Sequence, residues 1–227
     1  MQPYLFPYIG YFQLIHAVDL FVCCDNMQYT KKGWINRNRY LAFDREETFT
    51  LPLQDAPQKS HIMERTIASS FQPKTLIAKL ERNYKKSSHF LENFELIQNI
   101  LSQQETSLLK FTLNSLTQVC RYLGIQTKFR TTSEIPIDHT KTKEDKVIAM
   151  CSALETKKYI NSSGGRALYS QDNFQKHGIS LGFLIPHEFK YQQFNNKFIP
   201  WLSIVDVLMF NSVDRIKQQL NCFDITQ

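Results

Sequence analysis

Apolar residues recur at helical spacing through the middle of the chain. Leu76, Ile77, Leu80 and Tyr84 follow Pro73 in a pattern that predicts a helix from 73 to about 86. The same spacing predicts further helices over 90–101, 108–123, 143–154 and 201–211. Gly124 is well placed to end the helix over 108–123. The pattern therefore predicts a helical portion over about 73–124.

Short apolar runs predict buried strands on either side of this portion. They cover 20–24, 49–51 (paired with 39–43), 127–130, 158–160 and 179–185, and residues 133–137 are expected to be extended. A short helix from Gly10 to Val18 precedes the first strand, an order that favours parallel strands layered with helices. We predict one α/β domain over 1–227 with a mostly parallel, open, Rossmann-like sheet, of which a nucleotidyltransferase-like sheet is one form.

The charge of the chain favours an anionic small molecule as its ligand. The 27 basic and 21 acidic residues give a net charge of +6, and the excess is dispersed, whereas a DNA-binding protein more often has one dense basic face. No apolar stretch is long enough to span a bilayer, and the first residues lack the features of a signal peptide. We therefore predict a cytoplasmic protein without an integral membrane segment; the oligomeric state stays open.

The cysteines and histidines show no metal-binding spacing. The five cysteines are an odd set without a Cys-x-x-Cys pair, which favours free, buried thiols in a reducing compartment. The six histidines form neither a His-x-His nor a His-Glu-x-x-His pattern. We predict neither a metal nor a cofactor.

Four segments carry motifs that resemble one family. They are Met1–Asp25 with Gln-Pro-Tyr and Pro-Tyr-x-Gly-Tyr-Phe, the polar stretch from Asp25 to Asn38, the Gly-rich stretch Tyr159–Tyr169, and Tyr191–Asp206. In order and spacing this set resembles the WbqC-like proteins of bacterial surface-polysaccharide gene sets. The resemblance implies a part in O-antigen or lipopolysaccharide biosynthesis. Its members usually carry a further apolar strand before Met-Gln-Pro, so we expect the natural start to lie upstream of Met1; the alternative is a protein that lacks this inner strand.

The first segment forms a shaped loop that leads into a helix. Pro3 and Pro7 fix φ and prevent an earlier helix, and the backbone amides that open the helix are suited to phosphate. Tyrosine hydroxyls and ring faces suit a base or a sugar. The predicted substrate-binding residues here are Gln2, Tyr4, Tyr8, Gly10 and Tyr11. The alternative is that these aromatic residues only close the end of the sheet.

The second segment is the richest in charged and amide side chains. Asp25 ends a buried strand, where a carboxylate usually faces the crevice. Lys31, Lys32, Arg37 and Arg39 supply cations for phosphate, with Arg37 as a bidentate clamp. The predicted substrate contacts are Gln28, Tyr29, Lys32, Trp34, Asn36 and Arg37, and Asn38 is a further candidate for sugar hydroxyls. The alternative is a solvated polar loop.

The last two segments add an anion-binding loop and a closing segment. Residues 161–166 follow a strand, and a nest of backbone amides with one cation is expected at Ser163, Gly164, Gly165 and Arg166. Tyr191 and Gln193 are expected to close the site. Ser203 is expected to cap a helix, with Asp206 as a structural residue in its first turn.

Three functions are compatible with these segments. The resemblance implies a transferase that acts on a nucleotide-activated amino sugar, by N-acyl or aminoacyl (for example glycyl) transfer from an activated donor. Asp25 or His16 would take the proton of the amine. One alternative is a nucleotidylyltransferase in which tyrosines, within Tyr8-Ile9-Gly10-Tyr11, replace both histidines of a His-x-Gly-His loop. The other is a non-catalytic module that binds a nucleotide sugar or acts as a scaffold.

Overall fold

The computed structural model describes residues 1–43, 45–194 and 197–227. The helices of this part of the chain are α1 (Ile9–His16), α2 (Pro73–Tyr84), α3 (Phe90–Leu101), α4 (Leu108–Tyr122), α5 (Lys143–Ala153), α6 (Gln171–Lys176), α7 (Ile204–Phe210) and α8 (Val213–Gln219). The strands are β1 (Leu20–Cys23), β2 (Arg37–Ala42), β3 (Arg45–Thr50), β4 (Lys128–Thr131), β5 (Lys158–Ser162), β6 (Ser180–Pro186) and β7 (Phe223–Thr226). The chain is thus a mixed α/β protein.

The described strands pair in three groups. β1 pairs with β4 in parallel, and β2 pairs with β3 as an antiparallel hairpin in which Asn38 lies opposite Phe49. β5 pairs with β6 in parallel, and β7 joins the other edge of β6 in the antiparallel direction. The prediction of parallel strands is therefore confirmed for two pairs, and the predicted pairing of 39–43 with 49–51 is also confirmed.

Backbone bonds occupy both edges of β1. The amide of Lys128 in β4 donates to the carbonyl oxygen of Asp19 (3.2 Å). At the other edge, the backbone groups of Val22 and Cys24 bind Met1. The amino group of Met1 donates to Val22 O (2.9 Å), and the amide of Cys24 donates to Met1 O (2.7 Å). Since successive residues of a strand direct their backbone groups to opposite sides, Met1 lies on the edge of β1 that faces away from β4.

Several sequence predictions need correction. Residues 133–137 do not begin as an extended segment, because Thr132–Glu134 forms a 3₁₀ turn in which the amide of Thr131 donates to Glu134 Oε2 (2.8 Å). Residues 161–166 are not a loop throughout: β5 extends to Ser162, and Ser163–Leu168 is a 3₁₀ helix. The helix expected over 201–211 begins only at Ile204. The pattern did not predict α6, α8 or β7.

Two clusters of buried apolar side chains form the interior. The larger includes the N-terminal loop, α1, the helices α2–α4 and α7, and its largest fully buried members include Phe6, Phe12, Tyr84 and Phe111. The smaller lies among α5, α6, β5 and β6 and is centred on Phe174 and Phe183. In the described residues no helix is both long and apolar enough to cross a membrane.

Candidate functional site: a cleft of aromatic rings and arginine

An open cleft of about 260 Å³ lies beside the N-terminal loop. Its walls are formed by three segments that are distant in sequence: the N-terminal loop, residues 34–39, and the residue that follows Pro200. The lining residues are Tyr4, Pro7, Tyr8, Trp34, Asn38, Arg39 and Trp201. The structure thus brings the predicted residues Tyr4, Tyr8 and Trp34 together and adds Trp201 from the far end of the chain.

Hydrogen bonds to its backbone hold the N-terminal loop in place, although its two prolines have no amide hydrogen to donate. The amide of Leu5 donates to Ile35 O (3.1 Å), and that of Ile204 donates to Pro7 O (2.8 Å). The buried Asn38 side chain donates to the carbonyl oxygens of both Leu5 and Phe6, each at 2.9 Å. These contacts fix a loop that contains the left-handed residue Phe6 (φ 43°).

Gly10 allows Tyr8 to lie against the start of α1. A Cβ atom at Gly10 would lie 2.3 Å from Cε2 of Tyr8 and 2.8 Å from Cγ of Pro186. A larger residue would displace the Tyr8 ring, which is one wall of the cleft. Gly10, which was predicted to bind substrate, therefore has the Tyr8 side chain as its neighbour and does not itself line the cleft.

Trp201 forms a wall of the cleft next to the N-terminal loop. Its ring meets the Tyr8 ring edge to face, with the ring centres 5.7 Å apart. Its backbone is left-handed (φ 60°), and Arg39 Nη2 donates to its carbonyl oxygen at 3.1 Å. The side chain is 50% exposed. An exposed indole in a strained, anchored backbone is well suited to stack on a ligand ring.

The phenols of the cleft are neutral near pH 7. Burial raises the pKa of Tyr4, and it raises the pKa of Tyr8 together with the nearby Tyr4 hydroxyl. The Tyr4 hydroxyl donates to Gln2 Oε1 at 3.3 Å. Tyr11, in contrast, is buried and donates to Gln2 O at 2.7 Å, so it supports the loop from inside.

Two guanidinium groups lie over the Trp34 ring. The Arg37 guanidinium is 5.3 Å and the Arg39 guanidinium 5.5 Å from the centre of this ring. Arg39 also pairs with Glu46 (Nη1 to Oε2, 2.8 Å), whereas Arg37 Nη2 donates to the carbonyl oxygen of Lys32 at 2.9 Å. Of the four cations predicted for phosphate, Arg39 therefore lines the cleft and Arg37 packs on one of its walls.

Other residues of the second segment hold that segment in place. Gln28 donates to Gln58 O (3.0 Å). The hydroxyl of Tyr29 donates to Asn36 Oδ1 (2.8 Å), and the buried Asn36 amide donates to Leu51 O (2.8 Å). The side chain of Lys32 is on an exposed turn. Gln28, Tyr29 and Asn36 adjoin the cleft segment without lining the cleft.

The two predicted proton acceptors lie elsewhere. Asp25 is 1% exposed, and its carboxylate accepts from the amides of Asn26 (2.9 Å) and Ser133 (3.0 Å) and from the Ser133 hydroxyl (2.5 Å). It therefore ties the end of β1 to the turn after β4. His16 lies at the far end of α1, with Nε2 3.2 Å from Oδ1 of Asn221. Neither residue lines the cleft.

The Gly-rich stretch is also separate from the cleft. Ser163 and Gly164 are exposed on the 3₁₀ helix, while Gly165 is buried against Asn161, whose Nδ2 would lie 2.9 Å from an added Cβ. The Arg166 guanidinium lies 5.1 Å from the centre of the Phe183 ring and donates to Thr226 Oγ1. The side chain of Arg166 thus packs on β6 and β7.

Tyr191 and Gln193 converge on a buried carboxylate, Asp206. Oδ2 of Asp206 accepts from the Tyr191 hydroxyl (2.6 Å) and from Gln193 Nε2 (2.8 Å), and Oδ1 accepts from the Tyr84 hydroxyl (2.8 Å). Burial raises the pKa of Asp206 to about 6, and these three hydrogen bonds oppose the rise. Ser203 caps α7 as predicted, through Val205 N (3.1 Å), whereas Asp206 binds side chains from other elements.

Gln193 carries this network to the segment before Trp201. Its Nε2 also donates to Ile199 O (3.1 Å), and its Oε1 accepts from the Ile199 amide (2.7 Å). Tyr191 and Gln193 therefore belong to a hydrogen-bond network that reaches the backbone just before Trp201, a wall of the cleft. The sequence offered one signal for Trp201 itself: an aromatic residue between Pro200 and a capped helix.

In the ranges that the structure describes, no three His, Cys, Asp or Glu side chains are arranged to hold a metal ion. The fold and the cleft define an α/β protein with an aromatic, arginine-bearing cleft. A profile of the WbqC-like protein family matches residues 2–218, and the chain belongs to this family. It is 30% identical over 214 residues to a protein of Mycobacterium tuberculosis that bears the name uncharacterized protein Rv1507c, covering 93% of this chain and 91% of that protein. No solved structure matches.

Proposed function

We propose that this protein is a transferase that binds a nucleotide-activated amino sugar in the cleft and acylates or aminoacylates its amine, within bacterial surface-polysaccharide synthesis. The observation that carries the proposal is the set of ring faces at the cleft, Tyr8, Trp34 and Trp201, with Arg39 beside them. Aromatic faces stack on sugars and bases, and guanidinium groups bind phosphate. Membership of the WbqC-like family is consistent with this reading.

The size of the cleft restricts how such a ligand lies. A volume of about 260 Å³ is slightly below the range of small-molecule sites, which span roughly 300–1,000 Å³. It suits one ring system rather than a complete nucleotide sugar. The remainder of the ligand must extend along the surface, and the Arg37 side of Trp34 offers positive charge for it.

The reaction requires a group that takes the proton of the attacking amine. The neutral phenols of Tyr4 and Tyr8 are poor proton acceptors. Asp25 and His16 stay our proposed bases, and for either to act, ligand binding would have to bring the amine to it from the cleft. Binding without turnover is the second candidate function. The observation in its support is that no carboxylate or imidazole is among the residues that line the described cleft.

The fold proposal accompanies the functional one. We infer that β1–β4 and β5–β6 belong to one open, Rossmann-like sheet. Its support is that both pairs are parallel and that α1 contacts both β5 and β6. In such a sheet, ligands bind beyond the carboxyl ends of the strands, where Asp25 and the Gly-rich stretch follow β1 and β5.

Removal of an indole should weaken ligand binding. We expect Trp201→Ala to lose about 1–3 kcal/mol of stacking, or roughly 5- to 150-fold in Kd, for nucleotide amino sugars in isothermal titration calorimetry. Phe43→Ala is the matched control, because Phe43 is an aromatic residue that is 67% exposed and lies outside the cleft. Equal affinity of Trp201→Ala and the parent protein would show that the ligand binds elsewhere.

Product analysis separates the candidate functions. The protein is incubated with nucleotide amino sugars and activated acyl or aminoacyl donors, and the sugar is weighed by mass spectrometry. A mass gain supports the transferase, and its loss in Asp25→Asn or His16→Gln would identify the base. Pyrophosphate release from a nucleoside triphosphate would support nucleotidyl transfer instead. Binding with no product would support the non-catalytic module.

A further inference from the structure

Arg65 is a buried cation that none of the sequence patterns singled out. It follows the 3₁₀ turn Ile62–Glu64 and is 7% exposed. Its guanidinium lies 4.7 Å from the centre of the Tyr29 ring, and its Nη2 donates to Gln54 O at 3.1 Å. Its Nε is buried without a hydrogen-bond partner among the described residues. A charge at this depth is costly unless a counter-charge is bound.

Arg37 is half-buried and follows Asn36, whose Oδ1 accepts from the Tyr29 hydroxyl. Its Nε is also buried without a partner in the described ranges, and its recorded bond is the one from Nη2 to Lys32 O. Within those ranges no carboxylate lies within salt-bridge distance of either guanidinium, whereas Arg39 has Glu46. Most of the N–H donors of both groups are therefore left for something other than protein.

The Tyr29 ring lies against Arg65 and is held in place by two hydrogen bonds. Its hydroxyl donates to Asn36, and its amide donates to Ser60 O (2.9 Å). Burial raises the pKa of Tyr29, and the positive charges of Arg65 and Arg37 oppose that rise. Arg37 in turn packs on Trp34, a wall of the cleft, so this cation pair adjoins the proposed ring-binding site.

We propose that Arg65 and Arg37 form a binding site for a diphosphate group above Tyr29. Two guanidinium groups match a ligand with two neighbouring phosphates, because each fork binds phosphate oxygens bidentately. This inference rests on the proposed function in one respect: it assigns the diphosphate of the nucleotide sugar to this site and its sugar or base to the cleft. The site itself requires only a diphosphate.

The test is a titration with pyrophosphate by calorimetry, followed by the same titration with a nucleoside diphosphate. We expect the parent protein to bind both, and Arg65→Gln and Arg37→Gln each to weaken pyrophosphate binding by about 10- to 100-fold, as for a lost charge-assisted hydrogen bond. Arg121→Gln, at an exposed arginine on α4, is the matched control and should bind like the parent. Binding should also weaken steeply with added salt.

Two results would overturn the proposal. One is no pyrophosphate binding by the parent protein; the other is unchanged affinity in a folded Arg65→Gln variant, which would make Arg65 a packing residue for Tyr29. Should Arg65→Gln not fold, Arg65→Lys retains the charge without the fork, and its expected loss of affinity is measured together with that of Arg37→Gln. Pyrophosphate binding without any binding of nucleotide sugars would reject the proposed function and leave the diphosphate site standing.

Discussion

Asp206 shows how much one side chain can organise. Its carboxylate accepts hydrogen bonds from the hydroxyls of Tyr84 in α2 and Tyr191 after β6, and from the side-chain amide of Gln193. Its own backbone lies in the first turn of α7. The Tyr84 hydroxyl also accepts from the amide of Leu41 in β2 (2.8 Å). One buried acid therefore connects two helices, the hairpin and the backbone that leads to Trp201.

The buried carboxyl of Asp206 should make stability depend on pH. Its folded pKa of about 6 exceeds the ordinary 3.8, so its contribution is fully present below pH 3.8 and is lost as the pH rises through about 6. Two pKa units correspond to about 3 kcal/mol. We expect the parent protein to lose about that free energy of unfolding relative to Asp206→Asn over this pH range, as urea melts at each pH would measure.

Asp206→Asn is the reference because an amide cannot ionise. The comparison removes the contributions of all other acids, such as Glu47 and Asp138, whose pKa values are lowered by hydrogen bonds from Tyr40 and Thr140 respectively. A difference between the two proteins that is constant from acid to neutral pH would contradict the raised pKa of Asp206.

At this scale the sequence predicted part of the site and missed its long-range members. Tyr4, Tyr8 and Trp34 were singled out because they occur in dense local motifs. Arg65 lies outside those motifs, and Trp201 was not singled out although it lies within the segment Tyr191–Asp206; both contact residues far along the chain. The roles expected for Tyr191 and Gln193 stay predictions, since their side chains contact Asp206 and not the cleft.

The end of α4 depends on a glycine that periodicity alone located. The helix ends at Tyr122, and Gly124 has the left-handed φ of 75° expected of a residue that terminates a helix. An added Cβ would meet Lys217 Cε at 3.7 Å, which is ordinary contact. The cost of substitution at this position is therefore conformational rather than steric.

Gly124→Ala should lower the free energy of unfolding by about 1 kcal/mol, the penalty of a left-handed alanine. Thermal and urea melts would measure the loss. Gly164→Ala is the control, because Gly164 lacks a left-handed φ and an added Cβ there would contact nothing within 4 Å. Equal losses in both variants would show that the effect comes from glycine removal in general and not from the helix end.

Elements with a long apolar periodicity were predictable, and short polar ones were not. α2, α3 and α4 each bury several side chains on one face, so their pattern is visible in the sequence. α6 and α8 bury one residue each, Phe174 and Ile216, and one apolar residue defines no period. β7 has no fully buried residue, and its place at the edge of β6 is a tertiary contact.

At the scale of the molecule, the two apolar clusters of the described residues share strands. In β1, Phe21 and Cys23 belong to the larger cluster and Val22 packs on the smaller one. In β6, Leu184 belongs to the larger and Leu181 and Phe183 to the smaller. Because the same strands contribute to both, neither cluster can lose its packing without disturbing the other. A single domain stays our prediction, and it can be tested at either cluster.

Phe174→Ala tests that prediction at the smaller cluster. Phe174 is fully buried and stacks on Tyr159 with ring centres 5.6 Å apart, so its truncation should cost about 3–5 kcal/mol. We expect one calorimetric transition in the parent and one, at lower temperature, in the variant. Leu91→Ala, at a side chain 94% exposed, should leave the transition in place. Two separate transitions in the variant would divide the chain into two units.

The composition of the cleft walls has a practical consequence. The chain contains two tryptophans, and both line the same cleft. Trp34 lies against two cations and Trp201 is half exposed, so we expect their fluorescence to change when a ligand enters the cleft. The ultraviolet fluorescence of the unlabelled protein is therefore an intrinsic optical reporter of cleft occupancy, and a collection of metabolites can be screened with it before any reaction is known.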